Sequence, residues 1–147
     1  MTVTYLPLED HVLRHVGHQR LIRDENDRPI GCLPHAFQLR EAEEALSVTW
    51  LEHFPGKRIE KISLAIAAIR EELTVKSKSG FALANVGKIM EICQTYGQKV
   101  RILHEPTEKN PGHCAIRRLP RDEMELLELL ASDAVIEVIP ASQFPAS

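Results

Sequence analysis

Apolar residues recur at two periods along this chain. Ile59, Ile62, Ile66, Ile69 and Leu73 lie alternately three and four positions apart, the spacing of one helix face. Val86, Ile89, Met90 and Cys93 continue that rhythm behind Asn85, a good N-cap, and Gly97 suits the left-handed helix stop. Met124, Leu127, Leu130 and Ala134 form a third stripe behind Pro120, with Asp122, Glu123 and Glu125 where the helix dipole favours acids. Phe81–Ala84, Lys99–Leu103, His113–Leu119 and Val135–Ile139 are short apolar or alternating runs between these segments and predict strands.

The N-terminal half is less periodic. Leu6–Asp10 predicts the start of a short helix carrying His11, Val12 and His15. Gln19–Phe37 predicts a hairpin that turns at Asp24-Glu25-Asn26-Asp27. Glu41–Glu44 reads as an acidic helix start or a turn, and Leu46–Leu51 as a strand or a helix ended by Pro55-Gly56. Ala141–Ser147 reads as a frayed tail. Lys76–Gly80 is the one candidate joint, and it is too short to demand two domains. The pattern predicts a single α+β domain over residues 1–147, with a mixed sheet and about three amphipathic helices.

Composition narrows the function classes. At 147 residues the chain is long enough to bury a core without staples. Aromatic residues are only 5%, so Leu, Ile, Val and Ala must fill that core. The net charge of −3, with both signs well mixed, argues against duplex nucleic acid as a partner. Cys32, Cys93 and Cys114 are widely spaced, without a CxxC pair, which disfavours a zinc knuckle and suits a reducing cytoplasm. Met1–Asp10 lacks the basic start and apolar run of a signal peptide, and no apolar stretch is long enough to span a membrane. The expectation is a cytoplasmic protein with no cofactor.

Three polar sets compete as candidate sites. In the first, a strand-like run ends at His104-Glu105-Pro106, a polar loop follows, and the chain returns at His113. Two imidazoles and a carboxylate at strand ends are suited to acid–base work near neutral pH, which makes His104, His113 and Glu105 the catalytic candidates. Asn110-Pro111-Gly112 would shape the turn, although ordinary turn chemistry also accounts for these three residues. The second set, His35, Arg40 and Ser47, offers an imidazole, a guanidinium fork and a hydroxyl for an anionic ligand, with Asn110 as a further ligand contact. Arg14 and Arg20 are candidate helpers. Ser47 lacks a GxSxG turn, and Arg40 has Glu43 and Glu44 close by as surface ion-pair partners. In the third set, His11, His15 and His18, the first two would share a helix face at metal-ligand spacing, but His18 follows Gly17 and leaves the helix, no other third ligand is evident, and Arg14 and Arg20 repel a dication. Asn85-Val86-Gly87-Lys88 is a weaker phosphate-cradle candidate, without P-loop spacing.

The pattern Pro34-His35-Ala36-Phe37, Leu46-Ser47-Val48-x-Trp50-Leu51, His104-Glu105-Pro106 and Asn110-Pro111-x-His113 resembles an uncharacterised bacterial protein family over roughly Leu13–Ala134. The resemblance implies only that the His35–Ser47 and His104–His113 regions belong together. Two functions follow as expectations. One is a protein that binds or acts on a phosphorylated or nucleotide-like ligand, by phosphoryl or ADP-ribosyl transfer. The other is a non-enzymatic immunity, adaptor or accessory module, with an exposed apolar patch at Trp50 or Phe54.

Overall fold

The computed structural model describes residues 2–146. Strand β1 (His11–Val16) is followed by a small hairpin, β2 (Leu21–Arg23) and β3 (Pro29–Cys32), then by β4 (Ala45–Trp50), helix α1 (Arg58–Glu72), β5 (Gly80–Asn85) and α2 (Val86–Thr95). Strands β6 (Arg101–His104) and β7 (His113–Arg117), α3 (Met124–Leu129) with a π-helical turn at Leu130–Ala134, and β8 (Val135–Pro140) complete the chain. Six strands form one sheet in the order β6-β7-β4-β1-β5-β8.

The fold is α+β, with three helices on this sheet. Helix α1 joins β4 to β5, which run the same way. However, β1 lies between them and antiparallel to both, so every hydrogen-bonded pair in the sheet is antiparallel. The predicted N-terminal helix is absent, and His11–Val16 is a strand instead. Its side chains alternate between two buried environments: Val12 and Val16 enter one core and Leu13 the other. Burial on both faces favours an extended, β-branched segment over a helix. The helix expected from Pro120 begins only at Met124, after Arg118 adopts a left-handed φ of 68°.

The sheet separates the two cores. On one face Val48, Cys114 and Ile116 pack against Ile89 of α2 and Leu127 of α3. On the other, Leu13, Phe81 and Ile139 pack against Ile62, Ile66 and Ile69 of α1. All three cysteines are free and buried, and burial pushes their thiols up to about 11 for Cys32 and Cys93 and about 12 for Cys114. They act as small hydrophobes rather than nucleophiles.

Three details of the sheet bear on function. The outer edge of β6 is covered by the N-terminal segment, where His104 N donates to Thr4 O (2.9 Å) and Leu6 N to Ile102 O (3.3 Å). Strands β1 and β4 pair directly only at Val12↔Trp50 and Leu13↔Thr49. Beyond that point Arg14 bridges the seam, donating from Nη1 to Ser47 O (2.9 Å) and from Nε to Ala36 O (3.0 Å). At the start of α2, Asn85 Oδ1 caps Lys88 N (2.8 Å) and Leu8 O occupies Gly87 N (2.8 Å). A Cβ at Gly87 would stand 2.9 Å from that carbonyl. The phosphate-cradle reading of Asn85–Lys88 is therefore closed by the chain itself. Among the described residues no helix is long and apolar enough to cross a membrane.

Candidate active site on strands β4 and β7

The β4–β7 register pairs Ala45 with Arg117, Ser47 with Ala115 and Thr49 with His113. Residues paired across antiparallel strands share a face, so Ser47 has His113 and Arg117 as its two diagonal neighbours on β7. Diagonal neighbours lie about 7–8 Å apart at their backbones, within reach of long side chains. His113 uses that reach: its Nε2 is 3.1 Å from Ser47 Oγ. Its Nδ1 is 2.8 Å from the carbonyl oxygen of Glu105. A carbonyl only accepts, so Nδ1 carries the hydrogen, and in the neutral ring Nε2 is left to accept the serine proton. Ser47 is exposed and His113 half-buried, so the pair is open to a ligand.

Glu105 connects the pair to Arg117. Its carboxylate accepts from Arg117 Nε (2.6 Å) and Nη2 (2.7 Å), a bidentate pair. The Glu105 backbone pairs with His113, four residues before Arg117 and about 13 Å along an extended strand. The two side chains must therefore lean towards each other over Ala115, which is only 3% exposed and directly faces Ser47. The Arg117 guanidinium holds the Glu105 carboxyl below its usual range, and Glu105 raises the pKa of Arg117 in return. Ser47 Oγ thus meets the His113 imidazole on one diagonal, while Arg117, on the other diagonal, turns its guanidinium towards Glu105.

The loop between β6 and β7 is locked from below. Asn110 is fully buried and donates from Nδ2 to Thr49 Oγ1 (2.9 Å) and to Glu72 Oε1 (3.2 Å) at the end of α1. Its Oδ1 accepts from Gly112 N (3.0 Å), while Thr107 Oγ1 donates to the second Glu72 oxygen (2.8 Å). Asn110 therefore positions the loop and, being buried, offers nothing to a ligand.

The other sequence candidates lie apart. His104 pairs with Cys114, one residue beyond His113, which puts it on the opposite face of the sheet. There it packs edge-on to Trp50 and beside His53, at 5.2 Å from each, with Nε2 2.7 Å from Pro111 O. His104 and His113 cannot act together on one small group. His35 is exposed in the turn Pro34–Phe37, and its carbonyl accepts from Arg20 Nη1 (3.0 Å). Arg40 is exposed, with its backbone held by Glu43 Oε1 (2.8 Å) and Arg121 Nη1 (2.7 Å). Together with Arg20 its charge adds to the burial that pushes Arg14 down to about 10.

His11 and His15 are four residues apart in a strand, about 13 Å, too far to share a metal. His11 Nδ1 meets Glu52 Oε2 at 2.7 Å, and His15 Nε2 lies 3.3 Å from Ser79 Oγ. No cluster of three metal-ligating side chains occurs among the described residues. Sequence reasoning missed Arg117, Thr49 and Glu72. The alternation His113-Cys114-Ala115-Ile116-Arg117 was a usable signal for Arg117, since it sets two polar groups on one face around a small residue. Comparison with family models, curated proteins and solved structures returns no match to this chain.

Proposed function

We propose that this protein binds or acts on a phosphorylated, nucleotide-like ligand at Ser47. The observation that carries the reading is the Ser47 Oγ–His113 Nε2 contact, with His113 held in the proton-accepting tautomer by the Glu105 carbonyl. His113 is the acid–base group, Ser47 the hydroxyl it serves, and Arg117 the cation beside developing phosphate charge. Glu105 orients rather than reacts, because Arg117 occupies its carboxylate. Phosphoryl or ADP-ribosyl transfer is the reaction class this set supports. Ser47 sits inside a strand rather than on a sharp turn, which favours guanidinium stabilisation over the loop-amide oxyanion hole of acyl transfer.

Calorimetric titration with a panel of nucleotides and sugar phosphates tests this. A binder should weaken at least about tenfold in both His113→Ala and Arg117→Ala, as expected for charge-assisted contacts. A panel with no binder, or binding indifferent to both variants, overturns the reading.

One observation favours a second reading, a non-enzymatic interaction module. Trp50 is half-buried and Phe54 buried, but Ile22, Ile30, Leu33 and Ile136 are exposed. Three of these four, Ile22, Ile30 and Ile136, line an open groove of about 500 Å³ between the β2–β3 hairpin and β8. Exposed apolar patches of this kind mark protein contacts. Under this reading Ile30→Glu abolishes function in cells while Ser47→Ala leaves it intact, and the reverse outcome excludes it.

A further inference from the structure

Arg117 is not the only guanidinium on the face that carries Ser47. Arg101 on β6 pairs directly with Arg117 on β7, so both side chains project from the face that carries Ser47 and His113. Like charges directly opposite one another across a sheet destabilise it. Arg117 is compensated by Glu105 at 2.6 Å. Arg101 is exposed and has no carboxylate within ion-pair distance among the described residues. Arg117 is therefore a diagonal neighbour of Ser47, about 7–8 Å away at the backbone, and Arg101 lies directly opposite Arg117 one strand further out. The fold retains an uncompensated guanidinium one strand beyond Arg117.

We infer that the Ser47 site takes a ligand bearing two linked phosphates, the inner one on Arg117 beside Ser47 and the outer one on Arg101. This rests on the phosphorylated-ligand reading above and narrows it to the diphosphate class, with Arg101 as the residue that reads the second phosphate. Glu105 takes the Nε and Nη2 of Arg117, which leaves its Nη1 for the inner phosphate, while Arg101 offers a whole two-pronged fork to the outer one.

The test is titration of the full chain with inorganic phosphate and with pyrophosphate at one ionic strength. Both should bind, pyrophosphate about tenfold or more tightly. Arg101→Ala should remove that advantage and leave phosphate affinity unchanged. Arg117→Ala should weaken both. Arg28→Ala, on the distant hairpin, makes the same change in net charge and should alter neither. Equal affinities for the two probes in the unaltered protein overturn the diphosphate inference while sparing the phosphorylated-ligand reading. So does an Arg28→Ala effect equal to that of Arg101→Ala. Failure of both probes to bind the unaltered protein overturns both readings. Circular dichroism confirms that each variant is folded, and Arg101→Lys, which keeps charge without the fork, should recover only part of the advantage.

Discussion

Ser47 Oγ lies 3.1 Å from His113 Nε2, although 66 residues separate the two in the chain. The contact follows from register. Ser47 faces Ala115, and a small residue there lets both diagonal neighbours lean over it. A shift of one residue would turn His113 to the opposite face, since the side-chain period of a strand is two. The reactivity of Ser47 should therefore depend on His113. A fluorophosphonate probe should label Ser47, and His113→Ala should slow labelling about 100-fold, the low end of general-base contributions. Mass spectrometry that locates the label elsewhere, or an unchanged rate in His113→Ala, would remove Ser47 as a nucleophile.

The ion pair beneath this site has an acid limit. The Arg117 hydrogen bonds keep the Glu105 carboxyl below the 4.5 it would have when unfolded. A carboxyl lowered in the folded state contributes stability above its unfolded pKa, and that contribution is lost as pH falls through the folded value. The pair is solvent-accessible, so the effect is small. Glu105→Gln should lower a urea midpoint more at pH 7 than at pH 3. An equal shift at both pH values would contradict the assignment.

His15 shows the same sign for a different reason. Burial lowers its pKa below 6.5, and Arg14, Arg40 and Arg70 lower it further. The unfolded chain therefore binds a proton that the folded chain refuses. Stability from the neutral ring is complete above about pH 6.5 and declines as pH falls towards the depressed folded value. His15→Gln should flatten the stability profile in that interval. An unaltered slope between pH 6.5 and 5 would show that His15 titrates normally.

The latter half of the chain was legible because its apolar spacing is regular. Ile62, Ile66 and Ile69 do face one core and Ile89 and Leu127 the other, as their periods require. Strand β1 was not, because His11-Val12-Leu13-Arg14-His15-Val16 mixes histidines with apolar residues that enter both cores. Neither helical nor strand periodicity emerges from such a segment until its neighbours are known. The site was legible only in part. Ser47 and His113 were both candidates, yet what joins them is long-range register, which no local pattern encodes. Arg40 drew attention through its neighbours in sequence, whereas Arg117 owes its place to a strand pairing.

Asn110 provides the strongest test of the loop. Its amide is fully buried and bonds Thr49, Glu72 and Gly112 at 2.9, 3.2 and 3.0 Å. Asn110→Ala leaves the buried Thr49 hydroxyl and Gly112 amide short of a partner, whereas the exposed Glu72 carboxylate turns to water. Stranding buried polar groups costs about 1–3 kcal/mol each. Thr107 still holds one Glu72 oxygen, which limits the loss. The variant should therefore lose about 2–4 kcal/mol in urea denaturation. Asn110→Asp keeps the shape but sets a second carboxylate against Glu72 at neutral pH, and should lose as much there. Its deficit should shrink towards acid pH, where protonation of the introduced carboxyl restores a donor and removes the repulsion. Because the Glu105 carbonyl that orients His113 belongs to the same loop, labelling of Ser47 in Asn110→Ala should slow even where the protein remains folded. A fully stable Asn110→Ala with unchanged labelling would show that the loop holds its shape without the buried amide.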